Sequence, residues 1–511
     1  MSKPERTASP ADISREISRR DALKTGAAIM AGPALLKVHA DSDPVKFGVI
    51  GVGSRGSYLV DHLAHLDTGR CVALCDVNQQ ALDDTAKKLT TNPKKYKDYR
   101  ELLADRDVEA VVIAVPLYLH FQVTRDTLQA GKHVFCEKSL VFKPDEVHLL
   151  RTLAAEHPKQ VLQVGLQRRY SIYFQSVKKM IDDGILGTVT HIHGQWHRNP
   201  GWTMKEGGKG NPKNWRLFRE FSGGLTAELA SHHIDVADWY FGAHPEFVVG
   251  VGGLDFWKDG RDVFDNIQLI YSYPGGRKFM YSAITTCQHL PILSSQRPEF
   301  GLVIMGTAGA VEMTLGSDNA PPTALWFREP EPTTLSSGPP STTASASWAQ
   351  VGPQKGIPII TPATQVDWQK DSFLARESKF ARRWLYDKGI MLPQEDRNPV
   401  DTELESFLSD VRSGNRPRAD LEVGLADSTA VILSNLAMDE NRRVYFKEME
   451  TMGVAPPTPP PAPPVAATES GAPATATAAT AKPAVPAKST KAPVITKRAP
   501  ASTKASDPLK P

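Results

Sequence analysis

The stretch VKFGVIGVGSRG, Val45 to Gly56, decides the fold of the first half of the chain. An apolar run of strand length ends at Gly51, and Gly51, Gly53 and Gly56 then form the pattern G-x-G-x-x-G ahead of a helical sequence. The first glycine of such a unit permits a tight turn, the second lets a pyrophosphate approach the backbone, and the third lets the helix pack on the strand. The stretch therefore predicts the opening β–α unit of a dinucleotide-binding domain.

The residues around this loop favour NAD as its ligand. Asp76 ends the next apolar run, CVALCD, about 20 residues further on, where a carboxylate binds the ribose hydroxyls and repels a 2′-phosphate. Ser54 and Arg55 begin the predicted helix, whose unpaired N–H groups would face the pyrophosphate. Arg55 keeps NADP open as the less favoured alternative, because a guanidinium can hold a phosphate.

Residues 44–165 are predicted to form a Rossmann domain, a doubly wound parallel sheet. Strand-length apolar runs alternate there with runs whose apolar positions recur at helical spacing. The strand runs are continuously apolar, as in a parallel sheet covered on both faces. The strand runs are VKFGVI, CVALCD, EAVVIAV, HVFCEK and VLQVGL, and the helical runs are SYLVDHLAHL, NQQALDDTAKKL, DYRELLAD, FQVTRDTLQAG and KPDEVHLLRTLAAEH.

Residues 166–447 are predicted to form a second α/β domain with a large, mostly antiparallel open sheet. Its strand patterns are TVTHIHGQWH, FVVGVGG, DNIQLIYSY, RKFMYSAITT and FGLVIMG. Two amphipathic helices, DTELESFLSDVRSG and GLADSTAVILSNLAMDENRR, are expected to close the folded part. The Pro/Ser/Thr-rich residues from about 317 to 370 lack periodicity and are expected to form an insertion or lid.

Both ends of the chain differ in composition from the part between them. Residues 1–40 hold the pair Arg19 and Arg20, a short apolar run and small residues near Ala40, and they resemble a twin-arginine export signal. The run is too short to cross a bilayer, so no membrane segment is expected. Residues 448–511 are rich in Pro, Ala, Thr and Lys and are expected to form a disordered tail. Export to the periplasm by this route would carry the protein out folded, with a tightly bound nucleotide.

Composition excludes several other classes of protein. The chain is 41% hydrophobic and 23% charged, which is typical of a soluble globular protein. The net charge is +3, and most of the basic excess lies in the tail, so no nucleic-acid partner is expected for the folded part. The four cysteines include no C-x-x-C pair, which argues against a disulfide framework and against a Cys-based metal centre.

Two later segments carry residues suited to acid–base chemistry. FCEKSL places Glu137 and Lys138 at the end of a predicted strand, the edge at which parallel sheets bind ligands. SGGLTAELASHHIDVADW places Glu228, His232 and Asp235 on one face of a helix. A neutral histidine suits removal of a hydroxyl proton, and an ammonium group stabilises a developing alkoxide. The pattern predicts oxidation of a secondary alcohol, with Glu228 orienting His232.

The order of these motifs, with AVPLYLH, GKHVFCEKSL and GLQRRY between them, resembles the glucose-fructose oxidoreductase/inositol dehydrogenase family (Gfo/Idh/MocA) from about Val45 to Phe446. The resemblance implies a Rossmann domain followed by an α/β domain with a large open sheet. In the family that sheet commonly forms a dimer interface and one wall of the active site. A homo-oligomer that pairs through the sheet is therefore expected.

The resemblance also assigns roles to residues. Lys138 matches the lysine beside the nicotinamide and the reacting hydroxyl, and His232 matches the acid–base histidine, so both are expected to be catalytic together with Glu228. Glu228 stands where the motif usually has Asp. Ser139 replaces a proline that helps to fix the approach of the lysine.

Other matched residues border the cofactor or the substrate. Pro116 and His120 match a Pro-x-x-x-His segment beside the cofactor, and Glu137 belongs to the lysine motif and is expected to border the cofactor too. Arg168 and Tyr170 lie where the family often places substrate contacts.

Further polar and aromatic residues are candidates for carbohydrate binding. His191, His193 and His197 share one face of a predicted strand, which suits the wall of a sugar site better than a metal site, because no tight ligand motif is present. Trp215 suits stacking on a pyranose ring, and Asp235 offers a carboxylate to hydroxyl groups. No metal is expected.

The function favoured by the sequence is an exported NAD(P)-dependent oxidoreductase that exchanges a hydride with a secondary hydroxyl of a sugar, polyol or glycoside. The alternative is an NAD-dependent glycoside hydrolase that oxidises the ring transiently. That chemistry needs extra bases, for which Tyr170, His197 and Glu228 are candidates. A sugar-binding protein on an inactive dehydrogenase fold is a third hypothesis, left open by Ser139.

Overall fold

The structure, a computed structural model, describes a part of the chain that covers both predicted domains. The described residues are 43–198, 203–287, 300–314, 323–329, 357–359, 372–373, 376, 392, 395 and 397–454. The predicted export signal lies outside these residues, as does the predicted tail from residue 455 onward. Residues 448–454, assigned to the tail by composition, belong to the described fold.

Six parallel strands form the first sheet in the order β3-β2-β1-β4-β5-β6, which confirms the predicted Rossmann topology. The sequence did not predict β3, a three-residue strand of two exposed lysines and a tyrosine. The strands are β1 (Val45–Ile50), β2 (Gly69–Cys75), β3 (Lys94–Tyr96), β4 (Ala110–Ile113), β5 (His133–Glu137) and β6 (Leu162–Gly165).

Five helices connect these strands, as the helical periodicity predicted. They are α1 (Ser54–Leu63), α2 (Gln79–Ala86), α3 (Tyr99–Ala104), α4 (His120–Gln129) and α5 (Pro144–Glu156). Asn78 and Asp98 cap the N-termini of α2 and α3 by accepting hydrogen bonds from backbone N–H groups of the first turn. Gly53, at the start of α1, provides no side-chain cap, so the first N–H groups of that helix remain for a ligand.

A second sheet of nine strands follows in the order β14-β13-β12-β11-β7-β10-β9-β8-β15. Neighbouring strands run antiparallel except β7 and β10, which are parallel, so the sheet is mixed but mostly antiparallel, as predicted. Its strands are β7 (Val189–His197), β8 (Phe247–Gly253), β9 (Asn266–Ser272), β10 (Lys278–Ile284), β11 (Phe300–Gly306), β12 (Gly309–Thr314), β13 (Thr323–Arg328), β14 (Ile357–Pro358) and β15 (Val444–Tyr445).

Strands β13 and β14 lie within residues 317–370, which were expected to form an insertion or lid. They extend the sheet beyond β12, so this part of the segment is an edge of the sheet. Alternation along TALWFR supports β13, but the flanking Pro/Ser/Thr-rich composition obscured it. The rest of the segment lies outside the described residues.

Among the described residues, four further α-helices follow the first sheet: α6 (Ile172–Asp182), α7 (Ser231–Phe241), α8 (Pro399–Ser413) and α9 (Leu421–Glu440). Although α8 follows the second sheet in sequence, it packs on the first sheet, where the ring of Phe407 meets Phe135 of β5 edge-on at 5.7 Å. The C-terminal part of the chain therefore supports the Rossmann sheet as well as the second domain.

Helix α9 lies between the two sheets. Gly424 allows its backbone to approach Val164 of β6, and Met438 packs against Gly250 and Gly252 of β8. Because apolar partners surround it, α9 is buried on most sides, and the predicted amphipathic character is wrong for this helix. Among the described residues it alone has the length and mean hydropathy (1.2) to cross a membrane, and 61% of that window is buried inside the fold.

Candidate active site

The loop after β1 is shaped by three glycines with three different surroundings. Gly51 has a φ of 85°, and a Cβ there would lie 2.7 Å from the carbonyl oxygen of Ala114. A Cβ on Gly56 would lie 1.8 Å from the carbonyl oxygen of Gly51. No atom lies within 4 Å of the Cβ position of Gly53, so this glycine borders open space. The loop therefore has a tight turn, a close helix–strand contact and a free backbone edge in the order that a pyrophosphate site requires.

Asp76 holds this loop from the neighbouring strand. One carboxylate oxygen accepts a hydrogen bond from the N–H of Val52 at 2.8 Å, and the other accepts one from the N–H of Asn78 at 2.8 Å. Each carboxylate oxygen retains a further lone pair for a ribose hydroxyl. The open edge at Gly53, the uncapped start of α1 beginning with Ser54, and Asp76 together fit NAD.

Arg55 lies away from the ribose site. Its Nε donates to Oε1 of Glu137 at 2.6 Å, at the end of β5, and its guanidinium lies 5.2 Å from the ring centre of Tyr58. Burial would lower the pKa of Arg55, but the carboxylates of Glu137 and Glu403 raise it above its ordinary value. Strands β1 and β4 separate β5 from β2, which carries Asp76, so this arrangement favours NAD over NADP.

Pro116 and His120 follow β4, and His120 connects this part of the chain to the segment that carries Lys138. Pro116 precedes a short 3₁₀ helix, Leu117–Leu119, and His120 begins α4. The ring of His120 places Nδ1 2.8 Å from the carbonyl oxygen of Ser139 and Nε2 2.9 Å from that of Val115. Burial is the main cause that lowers the pKa of His120. His120 therefore fixes the segment that carries Lys138.

Lys138 reaches from the end of β5 to the second domain. Its Nζ donates to the carbonyl oxygens of Ala227 at 3.0 Å and Glu228 at 2.9 Å, and the Lys138–Ser139 peptide is cis. Two of the three N–H donors are thus used, and one is left for a substrate oxygen. Burial lowers the pKa of Lys138, and the carboxylates of Glu228, Glu137 and Asp427 oppose this decrease.

Glu228 does not orient His232, contrary to the prediction. Its Oε2 accepts a hydrogen bond from Nε of Arg216 at 2.9 Å. The prediction assumed an α-helix, but Thr226–Ala230 forms a π-helical turn ahead of α7, whose wider spacing breaks the i, i+4 alignment. Burial would raise the pKa of Glu228, yet Lys138 and Arg216 lower it below its ordinary value.

His232 lies in the first turn of α7, about one turn after the carbonyl groups that bind Lys138. Its Nδ1 is buried and has no hydrogen-bond partner among the described residues. Burial holds the pKa of His232 well below its ordinary value, and the charges of Lys138 and Arg168 lower it further. The imidazole is therefore neutral near pH 7, in the form that accepts a proton. Its ring lies 5.8 Å from that of Trp196.

Two of the predicted substrate residues lie near this centre. Arg168 is buried beside Trp196, 5.8 Å from the ring centre, and burial lowers its pKa to about 10. Trp215 stacks on the guanidinium of Arg216 at 4.2 Å and so lies next to the pair that Arg216 forms with Glu228.

The other predicted substrate residues have different partners. Asp235 forms an ion pair with Arg169 at 2.7 Å. Tyr170 is buried, and its hydroxyl accepts a hydrogen bond from the N–H of Ala419 at 3.3 Å. His197 contacts the hydroxyl of Ser282 at 3.1 Å.

The predicted histidine face of β7 is the outer face of the second sheet. Trp196 packs toward His232, so His191, His193 and His197 alternate to the opposite side. The three histidines, predicted to line a sugar site, therefore lie on the face of the sheet opposite His232. Strand periodicity shows that residues share a face, but it does not show which face of the sheet another element covers. Within the part of the chain that the structure describes, no group of three His, Cys, Asp or Glu side chains is arranged to hold a metal ion.

Three features of the site were not predicted from the sequence: Arg216, the contact of Ser139 with His120, and Asp427. Arg216 follows Trp215 in the stretch NWRLF, but its distance in sequence from Glu228 gives no periodic signal. Asp427 lies in the helix pattern GLADSTAVILSNLAMDENRR, in which a single acid gives no sign of its surroundings in the fold.

Comparison with known proteins places this geometry in a family. The model described as "Oxidoreductase family, NAD-binding Rossmann fold" matches residues 45–166, and the "GFO/IDH/MocA C-terminal domain" matches residues 174–312. Together they match half of the chain. The chain belongs to the Gfo/Idh/MocA family. Its first domain is an NAD-binding Rossmann domain, as the loop and Asp76 predicted.

Individual relatives match over part of their length. The chain is 32% identical to an inositol 2-dehydrogenase of Salmonella typhimurium over 30% of this chain and 45% of the relative. It is 31% identical to a glycosyl hydrolase family 109 protein of Shewanella pealeana over 34% of this chain and 40% of the relative. The chain thus spans about half the length, or less, of these curated relatives.

A solved structure agrees with the fold over a larger part of the chain. Scyllo-inositol dehydrogenase of Lactobacillus casei, with NAD(H) and scyllo-inositol bound, has a TM-score of 0.56 to this chain at 17% identity. The likeness covers 79% of this chain and all of the dehydrogenase. It shows a shared fold of a Rossmann domain followed by a sheet domain.

Proposed function

We propose that this protein is an NAD-dependent oxidoreductase that oxidises a secondary hydroxyl of a sugar or polyol. The observation that carries the proposal is a half-buried ammonium, Lys138, whose charge acts on a neutral, buried imidazole, His232, at the end of a strand whose sheet holds an NAD site. NAD, when bound, supplies the hydride acceptor. The inositol 2-dehydrogenase relative supports a polyol as the substrate class.

His232 acts as the base. Because Nδ1 is buried without a described partner, we assign Nε2 to the hydroxyl proton of the substrate, with the hydrogen of the neutral ring on Nδ1. The neutral form persists through the physiological pH range, since the pKa of His232 lies well below its ordinary value. A base in this position contributes a factor of about 10² to 10⁴ to the rate.

Lys138 stabilises the oxygen from which the proton leaves. Its Nζ is held by the carbonyl groups of Ala227 and Glu228, so the remaining N–H has a fixed direction. A fixed donor in a buried site stabilises developing negative charge without reorganising in the reaction. Arg168 and Trp215 are the side chains near this centre that suit hydroxyl groups and the face of a sugar ring.

The test is the absorbance of reduced nicotinamide after the NAD-loaded protein is mixed with inositols, aldoses and other polyols one at a time. At least one of them is expected to produce the absorbance band, and His232→Ala is expected to remove it. Absence of the band with every polyol and aldose, in protein that binds NAD, would contradict the proposal.

An NAD-dependent glycoside hydrolase is the second candidate, supported by the match to a glycosyl hydrolase family 109 protein. Of the three bases considered for it, Tyr170 is bound to Ala419 and His197 lies on the outer face of the sheet. Glu228 alone lies in the site, where it is paired with Arg216. Release of p-nitrophenol from aryl glycosides without added nucleotide would favour this activity over net oxidation.

Pairing of two copies through the second sheet is the proposed assembly. On its outer face, His193, Val251, Ile270 and Met280 border a groove of about 360 Å³, and the side chains of Val251 and Ile270 are 66% and 43% exposed. Exposed apolar residues on a broad sheet suit a self-complementary contact. Val251→Glu combined with Ile270→Glu is expected to halve the mass measured by light scattering, and an unchanged mass would contradict pairing through this face.

Export by the twin-arginine route is the proposed localisation, based on Arg19 and Arg20. Replacing both by lysine is expected to retain the protein in the cytoplasm in cell fractionation. An exported enzyme of this kind would need to keep its nucleotide between turnovers, which calls for a dissociation constant of about 1 nM or below, on the order of −12 kcal/mol.

A further inference from the structure

Asp427 of α9 is a buried carboxyl group that the mechanism above does not use. Its side chain is 2% exposed, and neither carboxyl oxygen has a hydrogen bond of ordinary geometry with any described residue. Burial raises the pKa of Asp427 to about 8, with a further contribution from Asp235. A carboxyl group in such surroundings is costly to the fold, which makes its presence a sign of function.

The turn of α9 that carries Asp427 is docked on the segment that carries Lys138. The hydroxyl of Ser428 accepts a hydrogen bond from the N–H of Val141 at 3.2 Å. Gly424, one turn earlier, allows Leu140 to approach, since a Cβ there would lie 3.2 Å from a methyl group of Leu140. Asp427 therefore has a fixed position relative to Lys138.

Ser139 is the neighbour of this carboxyl group on the lysine segment. Its side chain is 1% exposed, its hydroxyl has no hydrogen bond of ordinary geometry with any described residue, and it acts on Asp427 as a donor that favours the ionised form. The carbonyl oxygen of the same residue is held by His120 at 2.8 Å. Ser139 is thus held by His120 on one side and faces Asp427 on the other, at the position where the family motif has a proline.

The charges around Lys138 give Asp427 a particular role. Three carboxylates raise the pKa of Lys138 against the effect of burial: Glu228, Glu137 and Asp427. The first is paired with Arg216 and the second with Arg55. Asp427 has no arginine or lysine ion-pair partner among the described residues, so above the pH of about 8 at which it ionises, its charge is the one left to balance the ammonium.

We propose that Ser139 and Asp427 form a positioning pair for Lys138, in which the ionised form of Asp427 accepts the hydroxyl hydrogen of Ser139 and balances the charge of the lysine. The pair takes the place of the proline in the family motif. The inference rests on the proposed function only for the role of Lys138 beside the nicotinamide. Neither residue touches the reacting atoms.

The proposal predicts the direction in which the titration of Lys138 moves. Ionised Asp427 stabilises the ammonium, so its removal lowers the pH at which Lys138 loses its proton. The other charged or titratable groups that act on Asp427 are Asp235, Asp238 and, more weakly, Tyr271, and they remain in an Asp427→Asn variant. A carboxylate near an ammonium shifts its pKa by about one unit or more.

The test compares the affinities for NAD⁺ and NADH from about pH 6 to about pH 10, a range that includes the ordinary pKa values of His and Lys. An ammonium beside the nicotinamide disfavours the cationic ring, so the ratio of the two dissociation constants changes when Lys138 loses its proton. Asp427→Asn is expected to move that change to lower pH by about one unit, and Ser139→Ala to move it less in the same direction. Superimposable profiles for wild type and both variants would overturn the proposal.

A matched control separates this effect from loss of any buried acid. Asp410 of α8 is also buried, and its pKa rises to about 6, but its neighbours are Ser406 and Arg418. Asp410→Asn is expected to leave the ratio profile unchanged. If Asp427→Asn does not fold, Ser139→Ala decides alone, and an unshifted profile overturns the pair.

The binding profile needs no substrate, so two failures are distinguishable. A shifted profile in a protein that oxidises no carbohydrate would support the pair and contradict the proposed function. An unshifted profile in an active oxidoreductase would contradict the pair and support the proposed function.

Discussion

The nucleotide loop and the cluster of residues around Lys138 are each held by internal contacts, but these contacts span very different distances in the sequence. In the loop, Gly56 packs on the carbonyl group of Gly51 and Val52 binds Asp76 across 24 positions. In the cluster, Lys138 donates a hydrogen bond to the carbonyl group of Glu228 across 90 positions. The carboxylate of Glu228 forms an ion pair with Arg216. In the loop, close contacts with backbone atoms determine which side chains fit. In the cluster, burial and neighbouring charges determine the protonation state of each side chain. Substitutions should therefore affect the two regions in different ways.

The largest combined effect on NAD binding and on stability is expected in the loop, from Gly56→Ala. Its methyl group would lie 1.8 Å from a backbone oxygen that cannot move without breaking the turn, so NAD affinity should fall at least ~100-fold and the melting temperature should fall as well. Gly53→Ala is the matched control, because a Cβ added to Gly53 would have no neighbouring atom within 4 Å. It should weaken NAD binding and leave the melting temperature unchanged. Equal melting temperatures for both variants would contradict the steric account of the loop.

In the cluster, His232→Ala should lower kcat/KM by a factor of about 10² to 10⁴ and leave the dissociation constant of NAD unchanged. In the proposed mechanism His232 accepts the proton of the substrate hydroxyl, and it lies outside the nucleotide loop. His191→Ala, on the exposed outer face of β7, is the control and should match wild type. Full turnover in His232→Ala would remove the assignment of the base.

Asp76→Asn tests the link between the loop and the ribose. It removes a carboxylate that holds Val52 and Asn78 and has lone pairs for ribose hydroxyls, so NAD affinity should fall by about 10- to 100-fold in calorimetry. The preference for NAD over NADP should narrow, because the repulsion of a 2′-phosphate is lost. A wild-type protein that binds NADP more tightly than NAD would contradict the reading of Asp76.

The smallest effect is expected from Arg216→Met, which removes one cation from Glu228. The free energy of unfolding near neutral pH should fall by about 1 kcal/mol, a modest value because Arg216 is partly exposed. Since the folded-state pKa of Glu228 is lowered, the stabilisation is present above its ordinary pKa and is lost as pH falls through the folded-state value. The difference between variant and wild type should thus disappear in acid. A difference that persists at low pH would mean that lost packing, not charge, is responsible.

The contrast also explains what could be predicted from the sequence. The order of strands and helices up to β6, apart from the short strand β3, and the roles of Gly51 and Gly56 follow from local patterns. Glu228 was misassigned because a π-helical turn is indistinguishable from an α-helix by spacing. His197 was placed on the correct shared face of β7, but the choice of which face meets α7 depends on packing between distant segments. Arg168 and Tyr170 lie two residues apart in a 3₁₀ turn. The fold places Arg168 at the site and binds Tyr170 to Ala419, a difference that their spacing in the sequence does not reveal.

The central claim, that Lys138 and His232 serve hydride removal from a carbohydrate in an NAD-holding site, is tested most directly by isotope transfer. The protein is incubated with NAD and polyols or aldoses that carry deuterium on every carbon, and the recovered nucleotide is weighed by mass spectrometry. The account predicts reduced nucleotide heavier by one deuterium than protein-free controls, and none from the His232→Ala variant. Recovered nucleotide without deuterium, from wild-type protein with NAD bound, would contradict it.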